Sequence, residues 1–187
     1  VMFTEINDIV QVLEAGGVIL YPTDTIWGIG CDATNEAAVA KVYELKKRAA
    51  NKSMIILVPD AKAVFQYVAN PHPDIIAIIK SFEQPTTVVY EQGIHLAPNA
   101  LAADGSIGIR VTTDPFCKTL LKRFKKPIIS TSANISGNVS PQNFEQISEE
   151  LKEGVDYVVQ HRRTDTTVVP PSSIIKLGDD GSIIKIR

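Results

Sequence analysis

A run of small polar residues follows a short apolar stretch near residue 130. The run reads Ser-Thr-Ser-Ala-Asn-Ile-Ser-Gly over residues 130–137, directly after the predicted strand 127–129. Hydroxyls, an amide and exposed backbone N–H groups at the carboxyl end of a strand can cradle an anion. The same residues could instead form a series of hydroxyl-capped turns. Both a phosphate-binding and a purely structural interpretation are therefore open.

A second candidate site is a cationic segment in residues 41–52. It includes Lys46, Lys47, Arg48 and Lys52, and it closes a predicted helix before a predicted strand. Cations in the last turn of a helix stabilise it by about a few tenths of a kcal/mol. This effect explains the placement of Lys46, Lys47 and Arg48, but it does not explain Lys52. An arginine fork beside lysine point charges can also grip a polyphosphate. The segment alone is compatible with either interpretation.

Gly28, Gly30 and Ala33 match the pattern G-x-G-x-x-A of dinucleotide-binding turns. That site needs the first glycine at the end of a strand and an acidic residue about 20 residues further on. Here Gly28 lies seven residues past Tyr21, and the region 48–53 is cationic. The pattern therefore favours glycines that give a tight loop its positive φ angles. The motif G-x-x-x-x-G-K-[ST] is absent from the sequence, which excludes an ordinary P-loop.

The overall charge conceals the cationic segments. The formal net charge of −2 excludes a strongly basic nucleic-acid binder. Yet ten of the 19 lysines and arginines lie in residues 41–52 and 118–126, where they can bind anions locally. Residues 118–126 fall on the outer face and last turn of one predicted helix. We expect them to form a solvated surface or a patch for an RNA backbone.

Length and composition indicate a single domain over residues 1–187. The chain is 44% hydrophobic, which is enough for a real core and excludes disorder, and its 11 prolines and 11 glycines exclude a coiled coil. Cys31 and Cys117 lie far apart and the three histidines are scattered, so neither a disulfide framework nor a zinc site is expected. Without a signal-peptide pattern or a membrane-length apolar run, the predicted location is the cytoplasm, with no membrane contact.

Helical and strand patterns alternate along the first two-thirds of the chain, and a strand-rich tail follows. Helices are predicted over residues 4–15, 36–47, 61–68, 75–82, 115–124 and 142–152. Strands are predicted over residues 18–21, 54–58, 86–90, 107–111, 127–129, 157–159, 167–169, 173–177 and 183–186. This order indicates an α/β domain with a mixed sheet.

Four motifs resemble, in order and at comparable spacing, those of the threonylcarbamoyl-AMP synthase family, the YrdC-like domain. Residues 21–30 resemble its opening Y-P-T-[DE]-T-x-[YFW]-G-[LIV]-G. Residues 46–48 resemble its K-x-R element, residues 109–111 its [VI]-R-V strand, and residues 132–137 are similar to its S-A-N-x-S-G run. The resemblance covers essentially the whole chain, and four motifs in register are more specific than any one.

The resemblance implies an enzyme, a nucleotidyltransferase that condenses L-threonine, bicarbonate and ATP into threonylcarbamoyl-adenylate and releases pyrophosphate. The product would serve tRNA threonylcarbamoyladenosine modification, with threonylcarbamoyl transferase proteins as partners and a contact to tRNA or double-stranded RNA. The implied fold is the short, single-domain YrdC-like form, an open twisted mixed sheet flanked by helices around a concave cationic cavity. Mg²⁺ would enter on the ATP phosphates, without protein side chains as ligands.

The resemblance also assigns roles to the residues that match its motifs. The implied threonine-binding residues are Thr25, Arg110, Ser130 and Ser172, of which the arginine fork suits a carboxylate. The implied catalytic residues are Lys46, Arg48, Ser132 and Asn134. The implied ATP-binding residues are Arg48, Lys52, Ser106, Ser132, Ser140 and Arg187. Ser172 follows from matching residues 171–175 with the family's P-S-T-[VI]-[VI] strand.

Three positions depart from the family pattern. Ala49 and Ser53 replace the two prolines of the loop K-x-R-P-x-[DN]-[NK]-P, and Leu57 stands where a histidine is common. These changes bear on the geometry of the nucleotide loop and on the outer amino-acid contacts. The K-x-R, [VI]-R-V and S-A-N residues themselves are unchanged.

Two other functions are weighed against the synthase. One is a paralogue with the same fold and no synthase activity, which would be expected to break the K-x-R and S-A-N motifs that are intact here. The other is an RNA-binding or ribosome-associated module that uses the basic surface. A steep salt dependence of RNA affinity, without threonine-dependent pyrophosphate release, would favour that module.

Overall fold

The strands of the computed structural model, which describes residues 3–48 and 54–187, are divided between two sheets. The strands are β1 Ile19–Tyr21, β2 Gly28–Gly30, β3 Ile55–Val58, β4 Thr86–Tyr90, β5 Ile107–Val111, β6 Ile128–Ile129, β7 Thr131–Ser132, β8 Tyr157–Val158, β9 Ser173–Leu177 and β10 Ile183–Lys185. The first sheet has the order β7-β2-β1-β8 and the second β10-β9-β4-β5-β3-β6. Each combines parallel and antiparallel pairs. The predicted mixed α/β class is confirmed, although two sheets replace one.

Six α-helices flank the sheets within the described ranges. They are α1 Ile6–Glu14, α2 Glu36–Lys46, α3 Val64–Tyr67, α4 Ile75–Lys80, α5 Pro115–Phe124 and α6 Glu149–Gly154. Helix α1 buries Ile6, Ile9, Val10 and Leu13, which is the spacing of one apolar helix face. None of the helices in residues 3–48 and 54–187 is long and apolar enough to cross a membrane.

Side-chain caps set the starts of α2 and α5. The Asn35 carboxamide oxygen accepts a hydrogen bond from the backbone N–H of Ala38, and Asp114 accepts one from Cys117. Each cap satisfies one of the N–H groups that a helix leaves unpaired in its first turn. Both helices begin where the sequence predicts. Helix α2 ends at Lys46, and Lys47 adopts the left-handed conformation that closes the helix.

Gly28 and Gly30 lie in a strand, contrary to the expectation that they give a loop positive φ angles. Among described glycines, positive φ angles occur at residues 16, 105, 137 and 181. A Cβ on Gly30 would lie 2.5 Å from the carbonyl oxygen of Ile129 and 2.6 Å from the Tyr21 ring. The glycine is therefore needed because neighbouring atoms pack directly against the backbone of β2.

Two predicted elements near the end of the chain are wrong. The helix expected over residues 142–152 is instead one turn of 3₁₀ helix, Phe144–Gln146, followed by α6. Ile147 is extended between them, and the Ser148 hydroxyl starts α6 by accepting from the N–H of Leu151. The strand expected over residues 167–169 is absent from this described region, where the Thr167 N–H binds the Asp165 carboxylate in a turn.

Candidate active site

A cavity of about 410 Å³ is lined by residues of both sheets. Strand β2 and the loop before it contribute to its wall from the first sheet. Strands β4 and β5 contribute from the second sheet, through Thr87, Val89, Gly108 and Arg110. These residues alternate along their strands, so they project from one face of the sheet. The cavity therefore lies where the two sheets face a common space.

Arg110 is buried in the wall of this cavity, with 3% of its surface exposed. Its Nη2 atom lies 3.2 Å from Oδ1 of Asp24, whose side chain is also buried. The Nε and Nη2 atoms of Arg110 have no hydrogen-bond partner among the described residues. Both nitrogens are shielded from solvent, and Nη2 is the one that lies against the Asp24 carboxylate. Buried donors without aligned hydrogen bonds are costly, and the Asp24 charge offsets part of this cost.

Thr25 lies in a short loop that the Thr23 side chain holds in shape. The Thr23 hydroxyl donates to the carbonyl oxygen of Ile26 at 2.8 Å and accepts from the N–H of Thr25 at 3.0 Å. The two threonine hydroxyl oxygens lie 3.2 Å apart. This local turn brings Thr25 to the cavity wall, beside Trp27 and Gly28. A ligand hydroxyl or amine could bind to it there.

The strand β9 region supplies further hydroxyls and a cation. The Ser172 hydroxyl lies 2.8 Å from that of Thr87, and both residues are buried. Arg187 donates from Nη2 and Nε to the Ser172 carbonyl oxygen, at 2.6 and 3.2 Å. Burial and the nearby positive charge of Arg110 lower the pKa of Arg187. Two guanidinium groups thus face the same cavity in spite of their mutual repulsion.

The loop after β7 is held by the ammonium group of Lys46. Lys46 Nζ donates to the Ser132 carbonyl oxygen at 2.6 Å, to the Asn134 carbonyl oxygen at 2.9 Å and to Asn134 Oδ1 at 3.0 Å. The Ser132 hydroxyl donates to Asn134 Oδ1, and the Asn134 amide donates to the Asn138 carbonyl. Lys46 therefore fixes the shape of the loop that carries Ser132 and Asn134.

Burial, and secondarily the charge of Arg48, lowers the pKa of Lys46 to about 8. A neutral amine has only two N–H donors, one fewer than the ammonium group. The three short contacts to the loop therefore require the protonated form. A further contact from Lys46 to a ligand phosphate would need its ammonium to leave one of these oxygens.

The structure brings together most of the residues that the sequence assigns to the site. The predicted residues that line the cavity are Thr25, Arg48, Arg110, Ser130, Ser132, Ser140, Ser172 and Arg187. Lys46, Asn134 and Ser106 are not among its lining residues. Lys52 lies outside the described residues, as do the departures Ala49 and Ser53. Leu57, the third departure, is fully buried.

Two residues of this region were missed by sequence reasoning. Thr87 lies in a strand rich in β-branched residues, and nothing in that composition indicates a site. Because side chains alternate along a strand, Thr87 and Val89 must share one face of the sheet, and this is the face that carries Arg110. Asp24 lies within the motif of residues 21–30, at a position where the family pattern accepts either aspartate or glutamate. A position restricted to carboxylates was a signal that a negative charge is needed there.

The chemistry of the lining is suited to anions. Within the described part of the chain, the cavity is lined by three arginines and seven serines or threonines, and by no aspartate or glutamate. Residues 3–48 and 54–187 also contain no group of three or more His, Cys, Asp or Glu placed to hold a metal ion. Hydroxyls and guanidinium groups bind phosphates and carboxylates rather than a resident metal. Fold and site define a mixed α/β protein with a cavity whose lining is rich in guanidinium and hydroxyl groups.

The sequence matches a family model over residues 11–187. The model is that of the Sua5, YciO and YrdC proteins, described as telomere recombination. A putative threonylcarbamoyl-AMP synthase of Methanocaldococcus jannaschii is 36% identical over 172 residues, which cover 92% of this chain and 79% of the relative. A threonylcarbamoyl-AMP synthase of Stenotrophomonas maltophilia is 31% identical over 82% of this chain and 84% of its own. The chain belongs to the Sua5, YciO and YrdC family.

Solved structures share the fold. E. coli YciO superposes with a TM-score of 0.83 at 22% identity, over 98% of this chain and 88% of its own. P. abyssi Sua5 complexed with L-threonine has a TM-score of 0.79 at 22% identity over 93% of this chain. This chain spans about half of that longer protein, 51% of its length. At these identities the likeness establishes the fold, and the chemistry follows from the site.

Proposed function

We propose that this protein is a threonylcarbamoyl-AMP synthase, a nucleotidyltransferase that joins L-threonine, bicarbonate and ATP and releases pyrophosphate. The observation that carries the proposal is the buried guanidinium group of Arg110 in the wall of a cavity that seven serines or threonines and two further arginines also line. A guanidinium group in such a wall fits the carboxylate of an amino acid. The proposal is supported by relatives named threonylcarbamoyl-AMP synthase and by a related fold complexed with L-threonine.

The two substrates would occupy different parts of the cavity. Threonine would place its carboxylate on Arg110 and its polar groups near Thr25, Ser130 and Ser172. The triphosphate would lie toward Arg48, Ser132, Ser140 and Arg187, with Lys52 beyond the described residues and Ser106 as a further nucleotide contact. Mg²⁺ would enter bound to the phosphates, where it supplies positive charge. Lys46 and Asn134 would keep the Ser132 loop in its binding shape.

The reaction would proceed through a carbamate. The threonine amine and bicarbonate form the carbamate with loss of water, and a carbamate oxygen then attacks the α-phosphorus of ATP. The new P–O bond forms as the bond to the β-phosphate oxygen breaks, and pyrophosphate leaves. The protein would act by positioning both substrates and by stabilising the phosphate charge, through Arg48 and the loop hydroxyls. No covalent enzyme intermediate is required.

We further propose that the adenylate product passes, in the cytoplasm, to threonylcarbamoyl transferase proteins that modify tRNA. A mixed carbamic–phosphoric anhydride of this kind carries an activated carbamoyl group, which must be consumed by a transfer reaction. The basic residues of α5 would then be a candidate contact for tRNA or double-stranded RNA.

The test is a pyrophosphate-release assay with ATP, L-threonine and bicarbonate, in which each substrate is omitted in turn. We expect release to require all three. Arg48→Ala should abolish turnover with little loss of stability, whereas Arg123→Ala, an exposed change on α5, should leave turnover intact. Equal pyrophosphate release without threonine would overturn the proposal. RNA affinity without such release would favour the RNA-binding alternative.

A further inference from the structure

Asp24 carries a buried charge that the proposed function does not use. Its side chain is 7% exposed, and its Oδ1 atom lies 3.2 Å from Nη2 of Arg110. Arg110 lines the main cavity, but Asp24 does not; it lines two neighbouring clefts instead. The Asp24 carboxylate therefore lies outside the main cavity, in contact with a residue of its wall.

This ion pair neutralises the charge of Arg110 without an aligned hydrogen bond. Neither Asp24 oxygen has a hydrogen-bond partner among the described residues, and the same holds for Nε and Nη2 of Arg110. The contact is thus an attraction between charges whose hydrogen bonds are not aligned. A buried guanidinium without a counter-charge would be strongly destabilising. Asp24 compensates this charge, and Arg110 still lines the cavity in which a ligand would bind.

The counter-charge also changes which ligands the Arg110 end of the cavity can hold. Arg110 and Asp24 together carry no net charge, and Arg48 and Arg187 also line the cavity. A ligand carboxylate on Arg110 is attracted by the guanidinium and repelled by Asp24. An ammonium group on the same ligand is attracted by Asp24, and these interactions are strong away from water. A ligand that has a carboxylate but no ammonium group is repelled by Asp24 and gains no attraction to it.

We propose that Asp24 is a specificity-determining residue, which makes the Arg110 end of the cavity selective for a zwitterionic amino acid over a carboxylate without an ammonium group. The inference rests on the proposed function, which places the threonine carboxylate at Arg110. Asp24 acts through Arg110 and does not touch the substrate. It also separates the two ligands by charge, since Arg48 and Arg187 lie along the rest of the cavity wall, where the polyanionic nucleotide would bind.

The experiment compares Asp24→Asn with the wild-type protein in calorimetric titrations without ATP. The ligands are L-threonine and 3-hydroxybutyrate, which has a carboxylate and a hydroxyl at similar positions but no ammonium group. We expect the ratio of the two affinities to fall at least about tenfold in Asp24→Asn, or ~1.4 kcal/mol in selectivity. An unchanged ratio in a folded Asp24→Asn protein would overturn the inference.

Asp32→Asn is the matched control. Asp32 is also buried and also paired, with Lys126 at 3.3 Å, but it does not line the cavity. General damage from losing a buried carboxylate would appear in both variants, whereas the change in ratio should appear only in Asp24→Asn. The same shift in both variants would contradict a specific role for Asp24.

The wild-type protein supplies a test that does not depend on the variant folding. It should bind L-threonine at least about tenfold more tightly than 3-hydroxybutyrate, and equal affinities would overturn the inference. Absence of threonine binding would overturn the proposed function and this inference with it. An unchanged selectivity ratio in Asp24→Asn overturns the inference alone.

Discussion

Lys46 and Lys47 are neighbours in the sequence with opposite environments. Lys46 is buried, and its ammonium group binds three oxygens of the loop after β7. Lys47 is exposed and pairs with Glu150 at 3.4 Å on the surface. An exposed pair of this kind contributes little to stability. The two lysines therefore allow a loop-holding charge to be compared with an ordinary surface charge.

Lys46→Met should weaken ATP binding at least about tenfold, because the Ser132 and Asn134 oxygens lose their common donor and the loop loses its shape. Threonine binding should change much less, since Arg110 lies on another element. Lys47→Met should alter neither affinity. Calorimetric titration with each ligand measures both effects. Unchanged ATP affinity in a folded Lys46→Met protein, or an equal loss in Lys47→Met, would contradict the role given to Lys46.

Site residues that belong to sequence motifs were predicted from the sequence. Site residues whose role depends on a contact with a distant residue were missed. Thr25, Arg110 and Ser132 belong to recognisable motifs, and the structure places all three at one cavity. The use of the Lys46 ammonium on backbone carbonyls could not be predicted, because it depends on where the loop of residues 132–138 folds back. The same holds for Asp24, which contacts Arg110, and for Thr87, which contacts Ser172. Each partner lies far away in the sequence.

At the scale of elements, β2 shows why a strand can lack strand composition. Its three residues include two glycines, which are poor strand formers, so alternation and propensity give no signal. The strand exists because β1 and β7 pair with it on either side. Longer, apolar strands such as β4 and β5 were predicted correctly. The prediction of one helix over residues 142–152 was wrong because a serine can cap a new helix as well as lie inside one, and Ser148 caps α6.

Gly30→Ala should destabilise the protein by about 1–3 kcal/mol, because the new Cβ would overlap the Ile129 carbonyl and the Tyr21 ring. Gly28→Ala is the matched change in the same strand, where the nearest atom, the Thr131 carbonyl oxygen, lies at 3.3 Å. It should be less destabilising and should act on ligand binding, since Gly28 lines the cavity. Urea unfolding of both variants measures the difference. Equal losses of stability would contradict close packing at Gly30.

The whole molecule buries both of its cysteines as free thiols. Burial raises the pKa of Cys31 and of Cys117 above the ordinary value for a thiol. In the unfolded chain each thiol ionises near pH 8.5, while in the folded protein it keeps its proton. Above that pH the unfolded state binds fewer protons, so the free energy of unfolding falls as the pH rises.

Between pH 7.5 and 9.5 this loss should amount to about 1.4 kcal/mol for each thiol. It is measured by urea unfolding with a reductant at the two pH values, as the difference between the wild-type protein and a variant without the thiols, because the lowered pKa of Lys46 gives both proteins a pH dependence of opposite sign. The double variant Cys31→Ala/Cys117→Ala should lose much less stability over the same interval, even if it is less stable throughout. The same pH dependence in the double variant would show that other groups are responsible.

The parallel pairing of β4 with β9 joins Thr86 to Ser173, and the cavity uses residues from Thr25 to Arg187. Contacts between such distant segments form slowly, because the entropy cost of closing a long loop comes before the free energy gained from strand pairing. The cavity cannot be complete until β9 has docked beside β4. Ligand binding should therefore be among the last properties to appear during refolding. On the ribosome, the chain would acquire it only after β9 and Arg187 have emerged.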